Sequence, residues 1–125
     1  MAIFITAFLC NLIIPIVMTV SGYFMYKHPP KEINGLIGYR TTMSKKNKDT
    51  WDFAHNLCGK LWLKIGGALF FVSAVSQIPF YNAGENDLSV LTLVIEAVQL
   101  TVIIVSIYIV ENKLKKTFDK DGKRK

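Results

Sequence analysis

Residues 2–26 read AIFITAFLCNLIIPIVMTVSGYFMY, and no charged side chain interrupts them. A helix needs about 20 apolar residues to cross the hydrocarbon core of a bilayer, so this stretch is long enough to span it. It lacks the marks of a cleavable leader. No Lys or Arg precedes it, Lys27 and Lys31 follow it, and no small-x-small cleavage site lies between. Pro15, near its middle, is expected to bend the helix, because proline removes a backbone donor and crowds the preceding turn.

Two further apolar runs lie downstream. Leu61 to Tyr81 is interrupted only by Lys64, whose stem can carry its charge to the headgroups, and Pro79 marks its far end. Leu88 to Val110 holds a single charge, Glu96. The link from Asn82 to Asp87 is short and polar, so these two helices are expected to be antiparallel neighbours. The predicted fold is all-α: an integral membrane three-helix bundle with spans at about 2–26, 61–81 and 88–110. An ordered loop, 27–60, joins the first two spans, and a basic tail, 111–125, follows the third.

Composition agrees with that class. Of 125 residues, 51% are hydrophobic and 19% charged, against roughly 25% charged in a soluble domain. A net charge of +6 would ordinarily suggest nucleic acid. Here the basic residues are segregated between apolar runs, so membrane topology explains them first and nucleic-acid binding ranks below it. Lys27, Lys31, Arg40, Lys45, Lys46, Lys48 and Lys60 fall in the first loop. Lys113, Lys115, Lys116, Lys120, Lys123, Arg124 and Lys125 fall in the tail, whereas the second link holds only Glu85 and Asp87. Basic segments stay in the cytoplasm, which predicts the N-terminus outside, and the loop and C-terminus inside, a cell membrane. The tail is expected to lie against anionic lipid.

The loop is too patterned for a mere connector. Pro29-Pro30 stops the first helix, and Asn34-Gly-Leu-Ile-Gly-Tyr-Arg-Thr41 follows, with apolar members expected to dip toward the bundle. Thr42 to Lys48 should be its most exposed part, and Asp49 or Thr50 can cap a helix. If that helix runs unbroken into the second span, Asp52, His55 or Asn56, and Gly59 share a face. Trp51 and Trp62 then suit the lipid–water interface. Arg40 near Asp52 would make a bidentate pair. Arg40, Asp52, Asn34 and His55 either staple the loop to the helix or form a site for a headgroup, a peptide or a protein partner. No nucleophile–base pair can be assembled by spacing, so a non-enzyme without a cofactor is expected. His55 and Cys58 alone are not a metal site. Cys10 and Cys58 are read as small packing residues.

Asn34-Gly-Leu-Ile-Gly-Tyr-Arg-Thr41, Ser44, Thr50-Trp-Asp-Phe-Ala-His55 and Cys58-Gly-Lys-Leu-Trp62 together resemble the signature of the SdpI (SdpI/YfhL) family of bacterial membrane proteins. The resemblance covers roughly residues 29–66 and assigns motif status to Asn34, Gly38, Arg40, Thr41, Trp51, His55 and Gly59. It implies immunity to, or sensing of, a membrane-active peptide toxin, with a cytoplasmic regulator as a second class of partner.

Within the membrane, Glu96 asks for a reason, since a carboxylate at a span's centre costs roughly 2.5–3.5 kcal/mol on insertion scales. Depth counting groups it with Asn11, Ser73 and Gln99, as helix glue or as a proton- or peptide-responsive site. Gly66-Gly67 offers a surface for close helix approach. Three spans bury little area, which leaves room for a homodimer without assigning its interface.

Overall fold

A computed structural model describes residues 2–31, 33 and 38–125. These form helices α1 (Ala2–Asn11), α2 (Ile13–Lys27), α3 (Lys48–Gln77) and α4 (Glu85–Thr117), with a 3₁₀ turn, Ile78–Phe80, closing α3. Among the described residues, three stretches are long and apolar enough to cross a membrane: Ala2–Lys27, Lys48–Phe80 and Glu85–Thr117. The expected all-helical architecture, with three helical stretches of spanning length and apolarity, is therefore present among the described residues.

The element ends differ from the sequence reading, and each difference has a local cause. The first span is broken at Leu12, where the helix yields ahead of Pro15. Proline offers no N–H to the carbonyl four residues back, which here is that of Asn11. α3, the helix of the second apolar run, begins at Lys48, so the latter part of the supposed loop is helix. Its cap is Asn47, not Asp49 or Thr50: Asn47 Oδ1 accepts from the Thr50 N–H, and Thr50 Oγ1 accepts from the Asn47 N–H. This reciprocal pair satisfies two donors at once. α4 takes in Glu85 and Asp87 as its acidic first turn and runs past Val110 to Thr117. The tail is thus partly helix.

At 1.5 Å per residue α3 and α4 are each about 45–50 Å long, against about 30 Å of hydrocarbon. Both are longer than that thickness. The side chains show the same division. Outward faces carry large apolar residues such as Phe71, Val72, Leu93, Ile104 and Tyr108, 60–71% exposed, as a lipid-facing surface requires. The buried apolar cluster instead sits at the basic end, where Met25, Tyr39, Ala54, Cys58, Val110, Leu114 and Phe118 meet.

The most extensive helix contact is α2 against α3. It depends on glycine. A Cβ on Gly59 would lie 2.5 Å from Tyr26 N, one on Gly22 would lie 2.6 Å from Leu63 N, and one on Gly66 would lie 2.8 Å from Thr19 N. Such backbone approach is what small residues permit between membrane helices. Gly67, paired with Gly66 in the sequence reading, faces open space. Cys58 packs in the core as expected, but Cys10 is exposed on the outer face of α1.

The tail is clasped rather than free. Phe118 is buried against Phe53, edge to face at 5.4 Å. Arg124 makes two bonds of 2.8 Å to the Asp49 carboxylate, and Asn47 Nδ2 donates to the Gly122 carbonyl at 2.7 Å. The Asp119 carboxylate accepts the N–H groups of Lys123 and Asp121, which hold its pKa below the usual carboxylate range and close the hook. The tail lysines remain exposed.

Candidate functional site

The first turn of α3 and the segment Gly38–Thr41 are knotted around one imidazole. Gly38 has φ +97°, in the left-handed region, and a Cβ there would strike His55 Nε2. Glycine is required on both counts. The next residue, Tyr39, donates its backbone N–H to His55 Nε2 at 2.9 Å. His55 Nδ1 lies 2.8 Å from the Trp51 carbonyl. A lone pair at Nε2 and a proton at Nδ1 satisfy both bonds, so the ring is uncharged in this arrangement. Trp51 packs against it, tilted, with ring centres 4.2 Å apart, and donates Nε1–H to the Pro30 carbonyl at 2.8 Å. One helical turn therefore grips the loop at Pro30 and again at Tyr39.

The knot continues outward. The Tyr39 hydroxyl donates to Glu111 Oε1 at 2.7 Å, joining the loop to α4. Burial, then the adjoining carboxylate, pushes the phenol's pKa up, so Tyr39 remains a donor. Ser44, fully buried, donates to the Tyr39 carbonyl at 3.0 Å and accepts the Thr41 N–H at 2.9 Å. Thr41 Oγ1 returns a bond from the Ser44 N–H, and Thr50 Oγ1 donates to the Ser44 carbonyl.

This scaffold walls a pocket of about 770 Å³. α2 contributes Val20, Ser21, Phe24 and Met25, the loop contributes Pro30 and Gly38–Thr41, and Trp62 and Ile107 come from α3 and α4. Trp62 is oriented by its Nε1–H bond to Ser106 Oγ, 2.9 Å. The lining is mostly hydrocarbon, with Arg40, Thr41, Ser21 and His28 as the polar members. Apolar walls with a few convergent polar groups are the usual makeup of a small-ligand site.

Several sequence expectations are corrected here. Trp51 is not at the interface but wholly buried, because its indole fills the space between loop and helix. Asp52, His55, Asn56 and Gly59 do not share a face. Trp51, His55, Cys58 and Gly59 point inward, while Asp52 and Asn56 are exposed. Asp52 pairs with Lys48 at 2.7 Å, one turn earlier. Among the described residues Arg40 and Asp52 form no ion pair, since the helix turns Asp52 away from the loop. Ser44 is buried within the stretch expected to be most exposed. Asn34, with Gly35, Leu36 and Ile37, lies outside the described residues. Tyr39 and Ser44 stand within the family signature without a role of their own in the sequence reading, and Glu111 lies outside it. The signature marks the tyrosine and the serine, whereas no sequence signal marks Glu111.

A second polar network lies within the membrane-crossing part. Asn11, Ser73, Gln77 and Gln99 are all at least 97% buried. The Asn11 carbonyl, left free by Pro15, accepts Gln99 Nε2 at 2.7 Å, and the same amide nitrogen donates to Ser73 Oγ at 3.0 Å. Gln77 Nε2 donates to the Ser73 carbonyl at 2.9 Å, while Gln77 Oε1 accepts from Asn11 Nδ2 at 2.9 Å. Three of the four expected members are thus brought together. Glu96 is not among them. It is half-buried and makes no hydrogen bond among the described residues; Gln77, one turn beyond Ser73 on α3, takes the place expected for it.

Among the described residues no three His, Cys, Asp or Glu side chains form a metal-binding group. The fold and loop define a class: a multi-helix membrane protein whose inter-helix loop is structured by the helix that follows it. The SdpI/YfhL protein family model matches residues 31–110, which include most of the loop, all of α3 and most of α4. The chain belongs to this family. No curated protein and no solved structure matches it.

Proposed function

We propose that this chain is a non-enzymatic membrane receptor for an amphipathic ligand, and that its role is protection from, or sensing of, a membrane-active peptide. The observation that carries this reading is the pocket. The family-signature residues Gly38, Arg40 and Thr41 line a largely apolar cavity, and His55 and Trp51 hold the loop that forms it. Hydrocarbon walls take the apolar side of a membrane-dissolved ligand, and the Arg40 guanidinium supplies directional donors for a carboxylate or another anionic group. The excess of basic residues at this end supports a cytoplasmic position for it in a bacterial cell membrane. Exposed tail lysines then face anionic headgroups.

The same chemistry favours a second reading, in which the occupant is a phospholipid of the inner leaflet held by its phosphate. Survival of peptide-sensitive bacteria separates the two. Cells producing wild type, Arg40→Ala or Ser21→Trp are challenged with membrane-active peptides at matched membrane abundance. Protection by wild type, and its loss in both variants, is the expected result. Absence of protection with correctly inserted protein, together with co-purification of one lipid that Arg40→Ala abolishes, moves the assignment to lipid binding.

A further inference from the structure

The membrane-embedded amide network has a property that the cytoplasmic-end knot lacks. Asn11 Oδ1 and Gln99 Oε1 are buried, and no donor among the described residues reaches either. Their identity as oxygens is fixed by the network itself. Gln99 Nε2 faces the Asn11 carbonyl, which can only accept, so that atom must be the nitrogen. Gln77 Nε2 faces the Ser73 carbonyl, so Gln77 presents its oxygen to Asn11, and the Asn11 atom there must be its nitrogen. Flipping any of these amides would set oxygen against oxygen. The nitrogens of Asn11 and Gln99 are committed within the protein, and only acceptors are left over. Buried acceptors of this kind are costly unless something donates to them or carries positive charge.

The surroundings favour positive charge. Every charged side chain from residue 65 to 110 is acidic: Glu85, Asp87 and Glu96. Glu96 stands three residues before Gln99 on α4. A cleft of about 360 Å³ between α1 and α4 has Glu85 and Ser89 in its lining and reaches Thr92. Thr92 Oγ1 accepts from Asn11 Nδ2 at 3.3 Å, so the cleft adjoins the network.

We infer that Asn11, Gln99 and Glu96 form a binding site for a compact monovalent cation, an alkali ion or an ammonium group, entered from the Glu85 end of the bundle. Amide oxygens with a neighbouring carboxylate suit a hard cation, and the acceptor-only composition rejects anions. The site is separate from the pocket at the basic end, and its test does not depend on that pocket's ligand.

The test is thermal unfolding of the detergent-solubilised protein, followed by Trp51 and Trp62 fluorescence. Sodium, potassium and methylammonium chlorides are compared with N-methylglucamine chloride, whose cation is too bulky for the site, at equal ionic strength. Ligand linkage gives an expected rise of about 4 °C for at least one compact cation over the bulky one. Stabilisation by sodium or potassium identifies an inorganic ion, and stabilisation by methylammonium alone identifies an amine head. Among the described residues Glu96 makes no hydrogen bond, so Glu96→Gln should fold normally and lose most of the rise; Gln99→Met should abolish it. Equal melting in all four salts, as expected if water alone satisfies the oxygens, overturns the site. So does a rise that Glu96→Gln leaves unchanged.

Discussion

The two polar networks of this molecule solve the same problem with different completeness. At the basic end the donors and acceptors of His55, Tyr39, Ser44 and Thr50 meet one another, a backbone group or, for the Tyr39 hydroxyl, Glu111. Inside the span Asn11 and Gln99 meet partners through their nitrogens and leave their oxygens over. The first network is a fastener: it fixes the loop and so shapes the pocket wall. The second has spare binding capacity where an unmet polar atom is costly. A buried polar cluster with nothing left over reads as structure, and one with a fixed remainder reads as a site.

The comparison breaks first if the helix contact beneath both networks is wrong. Gly59→Leu drives a side chain into the Tyr26 backbone and should cost at least about 3 kcal/mol. Little monodisperse protein should survive detergent extraction, and wild-type yield and melting would refute the α2–α3 packing. His55→Ala strands the Tyr39 N–H and opens space beside Trp51, for an expected loss of about 2–3 kcal/mol. Exchange of the loop amides should rise with it, and slow exchange at Tyr39 in the variant would show that the knot does not depend on the imidazole.

A smaller effect is expected inside the membrane. Gln99→Met removes the donor to the Asn11 carbonyl and should cost about 1 kcal/mol, because interhelical hydrogen bonds in bilayers are worth only that much. A loss as large as that of His55→Ala would mean that the span network is a fastener too. The smallest change should come from Asp49→Asn. The Asp49–Arg124 pair is exposed at both ends, so the melting temperature should hold while amides of residues 118–125 exchange faster. Unchanged exchange would show that Phe118 alone docks the tail.

Much of this architecture is legible in the sequence, because spans are set by uninterrupted hydrophobicity and a short acidic link dictates antiparallel neighbours. Pro15 announces the break in the first span, and the family signature marks the loop. What resists reading is which way each side chain of a helix points. Asp52 and Trp51 are adjacent, yet one faces water and the other is wholly buried, and only the packing of the loop decides which. Glu96 drew attention as the rare charge, while Gln77, an uncharged residue near the end of its run, carries the bonds. Net charge hid the tail's clasp as well, since Phe118 and Arg124 matter there through packing and geometry.

Site-specific photo-crosslinking reports directly on what occupies the pocket at the basic end. A photoreactive residue is placed at Ile107, which lines the pocket, or at Leu100, 54% exposed on the lipid-facing surface of the same helix. Membranes are irradiated with a peptide against which the protein protects. The expected result is peptide adducts from Ile107 that Arg40→Ala eliminates, with lipid adducts alone from Leu100. Equal peptide labelling at both positions, or lipid alone at both, would contradict the pocket as the peptide's site.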